Sequence, residues 1–201
     1  MRLRFLLGAA IAALVLTACQ ASASPPSSAD GSEAGAGSTD PNPSLVGNPE
    51  LEATLPEEAA GIIFFQSTSM SGPDFMDADV DEQFLSFLEE LGADIEDVSV
   101  AFAVGANADT TNTAYVFAFQ VVGAEAQELI AAFKAGAPAD ADPLEWTAET
   151  VGGKAVEVAV PTKEFPTPVA LYAVGDVLYF VNATEQAAFE AILGGLPGEP
   201  S

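Results

Sequence analysis

Carboxylates and a single thiol are the side chains in this sequence with chemistry to offer. Thirty Asp and Glu stand against five Lys and Arg, His is missing altogether, and Cys19 is the one cysteine. The densest acidic segment is Asp74-Phe75-Met76-Asp77-Ala78-Asp79-Val80-Asp81-Glu82. Hard cations want several oxygens converging from a short segment, so Asp77, Asp79, Asp81 and Glu82 are the candidate ligands of a weak calcium site. Apart from calcium, no cofactor is expected. An acidic helix N-terminus, favoured by the helix dipole, accounts for the same residues without a metal. Glu145 with Glu149, or Glu57 with Glu58, are nominal acid and base for glycoside hydrolysis. A sugar cleft is usually lined with aromatics, however, and most aromatics here alternate with small residues or fall on helical stripes, as core residues do.

Elimination carries the rest of the chemistry. A Ser-His-Asp or Cys-His nucleophile system requires a histidine base, and the usual zinc sites require His or Cys ligands. Phosphoryl transfer relies on Arg, Lys or a glycine-rich cradle. Gly152-Gly153-Lys154-Ala155 resembles the end of a P-loop, but Ala148 stands where the first glycine belongs and Ala155 where Ser or Thr belongs. The glycine pair reads instead as a hairpin turn. The chain is expected not to be an enzyme.

These residues have to be positioned by elements that the pattern of apolar residues predicts. A strand is expected over Gly61 to Ser67 and an acidic loop over Gly72 to Asp81. A helix follows, with Phe84, Leu85, Leu88 and Leu91 at helical spacing, a capping box from Asp79 to Glu82, and Gly92 as its stop. Ser99 to Val104 and Ala114 to Val122 form a strand pair. In the second of these, Tyr115, Phe117, Phe119 and Val121 share one face, which is taken as the core, opposite small residues. A second helix runs from about Ala124 to Ala135. Trp146 to Val151 and Lys154 to Val160 flank Gly152-Gly153, and Val169 to Val174 and Val177 to Val181 flank Gly175-Asp176, giving two tight hairpins. A third helix starts from an Asn182 cap. Strand, strand and helix occur twice in that order, which predicts an α+β fold: an antiparallel sheet with helices on one face, built from two ββα-type repeats. The small-residue face (Ala101, Ala103, Ala114, Val116, Ala118, Ala155, Ala159) is then either simply exposed or a docking surface.

The beginning of the chain is of a different kind. Met1-Arg2-Leu3-Arg4 is a positive start, Phe5 to Val15 an apolar run too short to span a bilayer comfortably, and Leu16-Thr17-Ala18-Cys19 closes it. Leu-x-Ala-Cys in this place resembles the lipobox of bacterial lipoproteins. That resemblance implies a signal peptide over 1–18, and diacylglycerol modification of Cys19 as the mature N-terminus. It also implies lipid anchoring on the extracytoplasmic face of the cell membrane, periplasmic or at the cell surface. Residues 19–49 are rich in Ala, Ser, Gly and Pro and read as a flexible linker. Residues 50–198 are expected to form a single acidic domain.

Charge limits the partners. Arg2 and Arg4 precede Cys19 and all thirty acids follow it, so the portion from Cys19 onward has three lysines (Lys134, Lys154, Lys163) and a formal charge of −27. Nucleic acid, which is bound through clustered Lys and Arg, is excluded. The partners that remain are the membrane through the lipid on Cys19, an envelope protein, or a lipid ligand. The function expected is a membrane-anchored binding or envelope-assembly domain without catalysis, with a lipid or acyl-chain carrier and a weak calcium-binding surface protein as alternatives.

Overall fold

The computed structural model describes residues 47–76, 82–135, 144–162 and 166–199, all within one unit that runs from Leu45 to Ser201. The elements in order are α1 (Pro49–Glu52), β1 (Glu58–Ala59), β2 (Ile62–Ser71), α2 (Gly72–Met76), α3 (Glu82–Leu91), a 3-10 turn (Ile95–Asp97), β3 (Val98–Ala106), β4 (Thr113–Val121), α4 (Ala126–Ala135), β5 (Trp146–Val151), β6 (Lys154–Ala159), β7 (Val169–Val174), β8 (Val177–Ala183) and α5 (Gln186–Gly195). The strands make one eight-stranded antiparallel sheet in the order β1-β2-β3-β4-β8-β7-β6-β5. Two meanders therefore meet at β4 and β8, where Ala114 lies opposite Ala183 and Gln120 opposite Val177.

The expected hairpins form at their glycines. Gly152, Gly153 and Gly175 all have positive φ (59°, 79° and 60°), the conformation a two-residue turn demands and one that glycine adopts without steric cost. Gly92, at φ 67°, ends α3 as its position after the last apolar residue predicted. In β2 the register slips between Phe64 and Gln66, a bulge that leaves Phe65 exposed.

Both faces of the sheet are covered, which corrects the expectation of helices on one face. On the bulky face, Phe119 packs against Phe84 and Phe87 of α3 with ring centroids 5.7 Å from each, and Phe117 meets Phe75 of α2. Phe133 of α4 lies against Phe180 of β8 on the same face, and Lys134 Nζ is 3.0 Å from Glu157 Oε2 of β6. The small-residue face is the other half of the interior. Ala101, Ala103, Ala114, Val116 and Ala118 join Ala170, Tyr179, Val181 and Ala183 in a buried cluster with Phe189, Ile192 and Leu193 of α5 and Leu51 of α1. The methyl groups on this face let α5 and α1 sit close to the sheet, and burying a Phe, Ile or Leu against them contributes about 1.5–3 kcal/mol each.

The α+β class and the antiparallel sheet are as expected, whereas the repeat is not. β3-β4-α4 and β7-β8-α5 run in the same order, but α4 covers the bulky face and α5 the small one, so the two units do not place their helices alike. Two local expectations also change. Gly72–Met76 is a short helix instead of loop, and Asn182 belongs to β8, where its side chain donates to Thr167 Oγ1 and Pro168 O; Glu185 precedes α5 as its cap residue. Pairing with β7 and β4 outcompetes the local cap preference because it satisfies several backbone groups at once.

Ala118 is fully buried, so Ala118→Leu should destabilise the domain by about 1–3 kcal/mol through overpacking beneath the helices. Urea unfolding checks this; a midpoint unchanged from the wild type would mean that the small face is open.

Candidate functional site

The residues nominated for chemistry fall in different places. Cys19, the linker as far as residue 46, and Asp77, Asp79 and Asp81, hence also the Asp79 capping box, lie outside the described residues, whereas Asn48 and Pro49, expected in the linker, cap and begin α1; Glu82 begins α3. Asp74, in α2, is held locally: Ser71 Oγ donates to its Oδ2 at 2.6 Å. Among the described residues no group of three or more His, Cys, Asp or Glu is placed to hold a metal ion. Glu57, Glu58, Glu145 and Glu149 are all exposed, the last on edge strand β5. None of these pairs sits in the enclosed, dehydrating setting that separates an acid from a base.

The most concentrated polar arrangement is one that the sequence did not signal. Lys154, first residue of β6, is 3% exposed and is the one buried charged residue among those described. Its ammonium donates to the carbonyl oxygens of Pro197 (3.3 Å) and Gly198, and it lies 5.6 Å from the centroid of the Tyr172 ring. Tyr172 donates its hydroxyl to the same Pro197 oxygen at 2.7 Å. Burial raises the pKa of both Tyr172 and its stacked neighbour Tyr179, so neither phenol is ionised near neutrality. A lysine beside a tyrosine in a recess can serve as a proton-transfer pair, but here both donors are spent on backbone carbonyls. The arrangement fastens the segment after α5 across the end of the sheet. The signal needed to find it, Lys154 meeting a segment more than forty residues later, is a tertiary contact with no local pattern.

The polar loop between β3 and β4 is similarly self-contained. Thr111 donates to Asp109 Oδ1 from its hydroxyl at 2.6 Å and from its backbone N–H at 3.2 Å, and Asn107 Oδ1 receives the N–H of Asn112. The Thr111 hydroxyl is the main reason that the Asp109 carboxyl has a lowered pKa. These bonds shape a turn and leave no convergent group for a ligand.

Comparison with known proteins adds no template. No family model matches the chain, and no curated protein or solved structure matches it significantly. No helix among the described residues is long and apolar enough to cross a membrane.

Lys154→Met keeps the aliphatic stem but cannot donate to Pro197 and Gly198. It should cost about 1–3 kcal/mol in urea unfolding and make the C-terminal segment susceptible to carboxypeptidase, whereas an equally protected segment would show that the lysine does not fasten it. Thr111→Val should bring the Asp109 carboxyl up toward its ordinary range, as read by an NMR pH titration. Because the folded-state pKa is depressed, the stabilisation it reports exists above the ordinary carboxylate range and disappears as the pH falls through the folded value.

Proposed function

We propose that this protein is a lipid-anchored extracytoplasmic lipoprotein whose acidic α+β domain binds an envelope partner or takes part in envelope assembly and catalyses no reaction. The observation that carries the reading is Leu16-Thr17-Ala18-Cys19 at the end of a charged start and a short apolar run. Support for a non-catalytic domain comes from the lack of His and Arg after Cys19 and from the engagement of Lys154 and Tyr172 with backbone carbonyls. Between Cys19 and Leu45, where the compact unit starts, a flexible coil would have a root-mean-square span of roughly 30 Å, enough to hold the domain clear of a headgroup layer. The strong negative charge then works with the tether, since an anionic membrane surface repels the domain it anchors.

Packing weighs against the acyl-chain carrier. A carrier needs an apolar cavity between sheet and helices, and on the small-residue face that space is filled by Phe189, Ile192 and Leu193 seated on the sheet.

The test is lipidation itself. The wild-type chain, expressed in a bacterial host, should incorporate labelled palmitate and partition with membranes, and Cys19→Ser should lose the label and be recovered in soluble extracts. Wild-type protein that takes up no label and fractionates as soluble protein would overturn the anchor. Crosslinking in intact cells addresses the domain; turnover of a substrate by the purified protein, with no envelope protein crosslinked, would overturn the non-catalytic reading.

A further inference from the structure

The end of α3 is built against its own electrostatics. A helix C-terminus carries partial negative charge and favours Lys, Arg or His in its last turn. The last turn of α3 has no basic residue; it contains Glu89 and Glu90, and Asp94 and Glu96 follow within a few residues of Gly92. No lysine among the described residues relieves them, because Lys134 is paired with Glu157 and Lys154 is turned into the carbonyls of Pro197 and Gly198. Asp97 is committed to the 3-10 turn, accepting the Asp94 N–H at 3.2 Å.

Apolar surface lies between these carboxylates. The buried stripe of α3 is Phe84, Phe87 and Leu88, and Leu85, expected on that stripe from its spacing, is 48% exposed. Leu85, Leu88 and Ile95 line a groove of about 390 Å³ whose polar walls are Glu89, Asp94 and Glu96. Its volume suits two or three side chains. On the other flank of α3 a groove of about 300 Å³ lies between Glu90 and Glu128, lined with Leu91 and alanines of α4.

We infer that the Leu85–Ile95 groove is a docking site for a basic amphipathic helix of a partner protein. Its apolar residues enter between Leu85 and Ile95, and its Lys or Arg residues one turn away meet Glu89, Asp94 and Glu96. Charge complementarity selects this occupant. A second copy of the chain would bring thirty more carboxylates, and an anionic lipid surface is repelled, whereas a cationic helix neutralises both the carboxylates and the negative end of α3. The inference rests on the reading of the domain as a binding module and is independent of the anchor at Cys19.

The experiment uses the full-length protein in neutral phosphatidylcholine nanodiscs, with empty nanodiscs subtracted, and a synthetic amphipathic Leu/Lys helix as the probe. The triple variant Glu89→Gln, Asp94→Asn, Glu96→Gln should weaken binding at least tenfold, and Leu85→Ser alone at least fivefold. Glu145→Gln, Glu149→Gln, Glu190→Gln removes the same charge from exposed positions just before and on edge strand β5 and on α5, and should change affinity less than twofold. Equal losses from the two triple variants would assign the attraction to net charge and overturn the site, as would an unchanged affinity for Leu85→Ser or a wild-type chain that does not bind the probe. If the probe fails while crosslinking identifies an envelope protein seated elsewhere, the groove falls and the binding-module reading stands.

Discussion

The pairing of β4 with β8 is the constraint on which the other parts of the domain depend. These strands are separated by more than fifty residues, and their antiparallel register from Ala114–Ala183 to Gln120–Val177 makes one sheet from two meanders. That register sets Ala114 opposite Ala183, Val116 opposite Val181 and Ala118 opposite the buried Tyr179 on one face, and aromatic with aromatic on the other, Phe117 opposite Phe180. A slip of one residue would exchange the faces of a whole strand, driving rings into the space that α5 fills and leaving methyl groups opposite the phenylalanines of α3. The register thus decides at once where α5 can approach closely and where the phenylalanines of α3 find partners.

Polar ties then hold the peripheral elements to that sheet. Asn48 caps α1 through Leu51 N and donates to Gln120 Oε1, and Gln120 donates in turn to Asp176 in the β7–β8 turn. Ser69 of β2 reaches Glu52 of α1. At the other end, Lys154 and Tyr172 secure the segment after α5. In a chain with so few cations, burying one on carbonyl groups is informative. The lysine donates to two carbonyl oxygens at once, a role that none of the abundant carboxylates can fill because an ionised carboxylate only accepts. Lys134 spans α4 and β6 with the opposite logic, pairing with a carboxylate near the negative end of its helix. The remaining acidity is left to the surface, where it gives the domain a field suited to cationic partners and unsuited to nucleic acid or anionic lipid.

Much of the element order was legible because strand and helix periods differ and because glycines interrupt them. Tyr115, Phe117 and Phe119 alternate with Ala114, Val116 and Ala118, and Gly152-Gly153 and Gly175-Asp176 turn the chain where hairpins need positive φ. The error over coverage arose at the same residues. Alternation distinguishes two faces, but bulky and small side chains are both compatible with burial, and only the facing surface decides. Leu85 is the converse case: its spacing from Leu88 fits a buried helical stripe, yet the two phenylalanines, Phe84 and Phe87, win the contact with Phe119 and rotate Leu85 outward. The Lys154 fastening had no local signature at all.

The sequence by itself determined the charge, the α+β class and the hairpins, because these depend on residue type and short-range geometry. Tertiary structure alone decided that helices cover both faces, that α4 and α5 do not repeat one another, which apolar residue of α3 meets solvent, and where the buried lysine is spent. Those outcomes are set by the closeness with which surfaces distant in sequence can pack, and by which buried donors and acceptors meet when they do, quantities that no single segment of the chain carries.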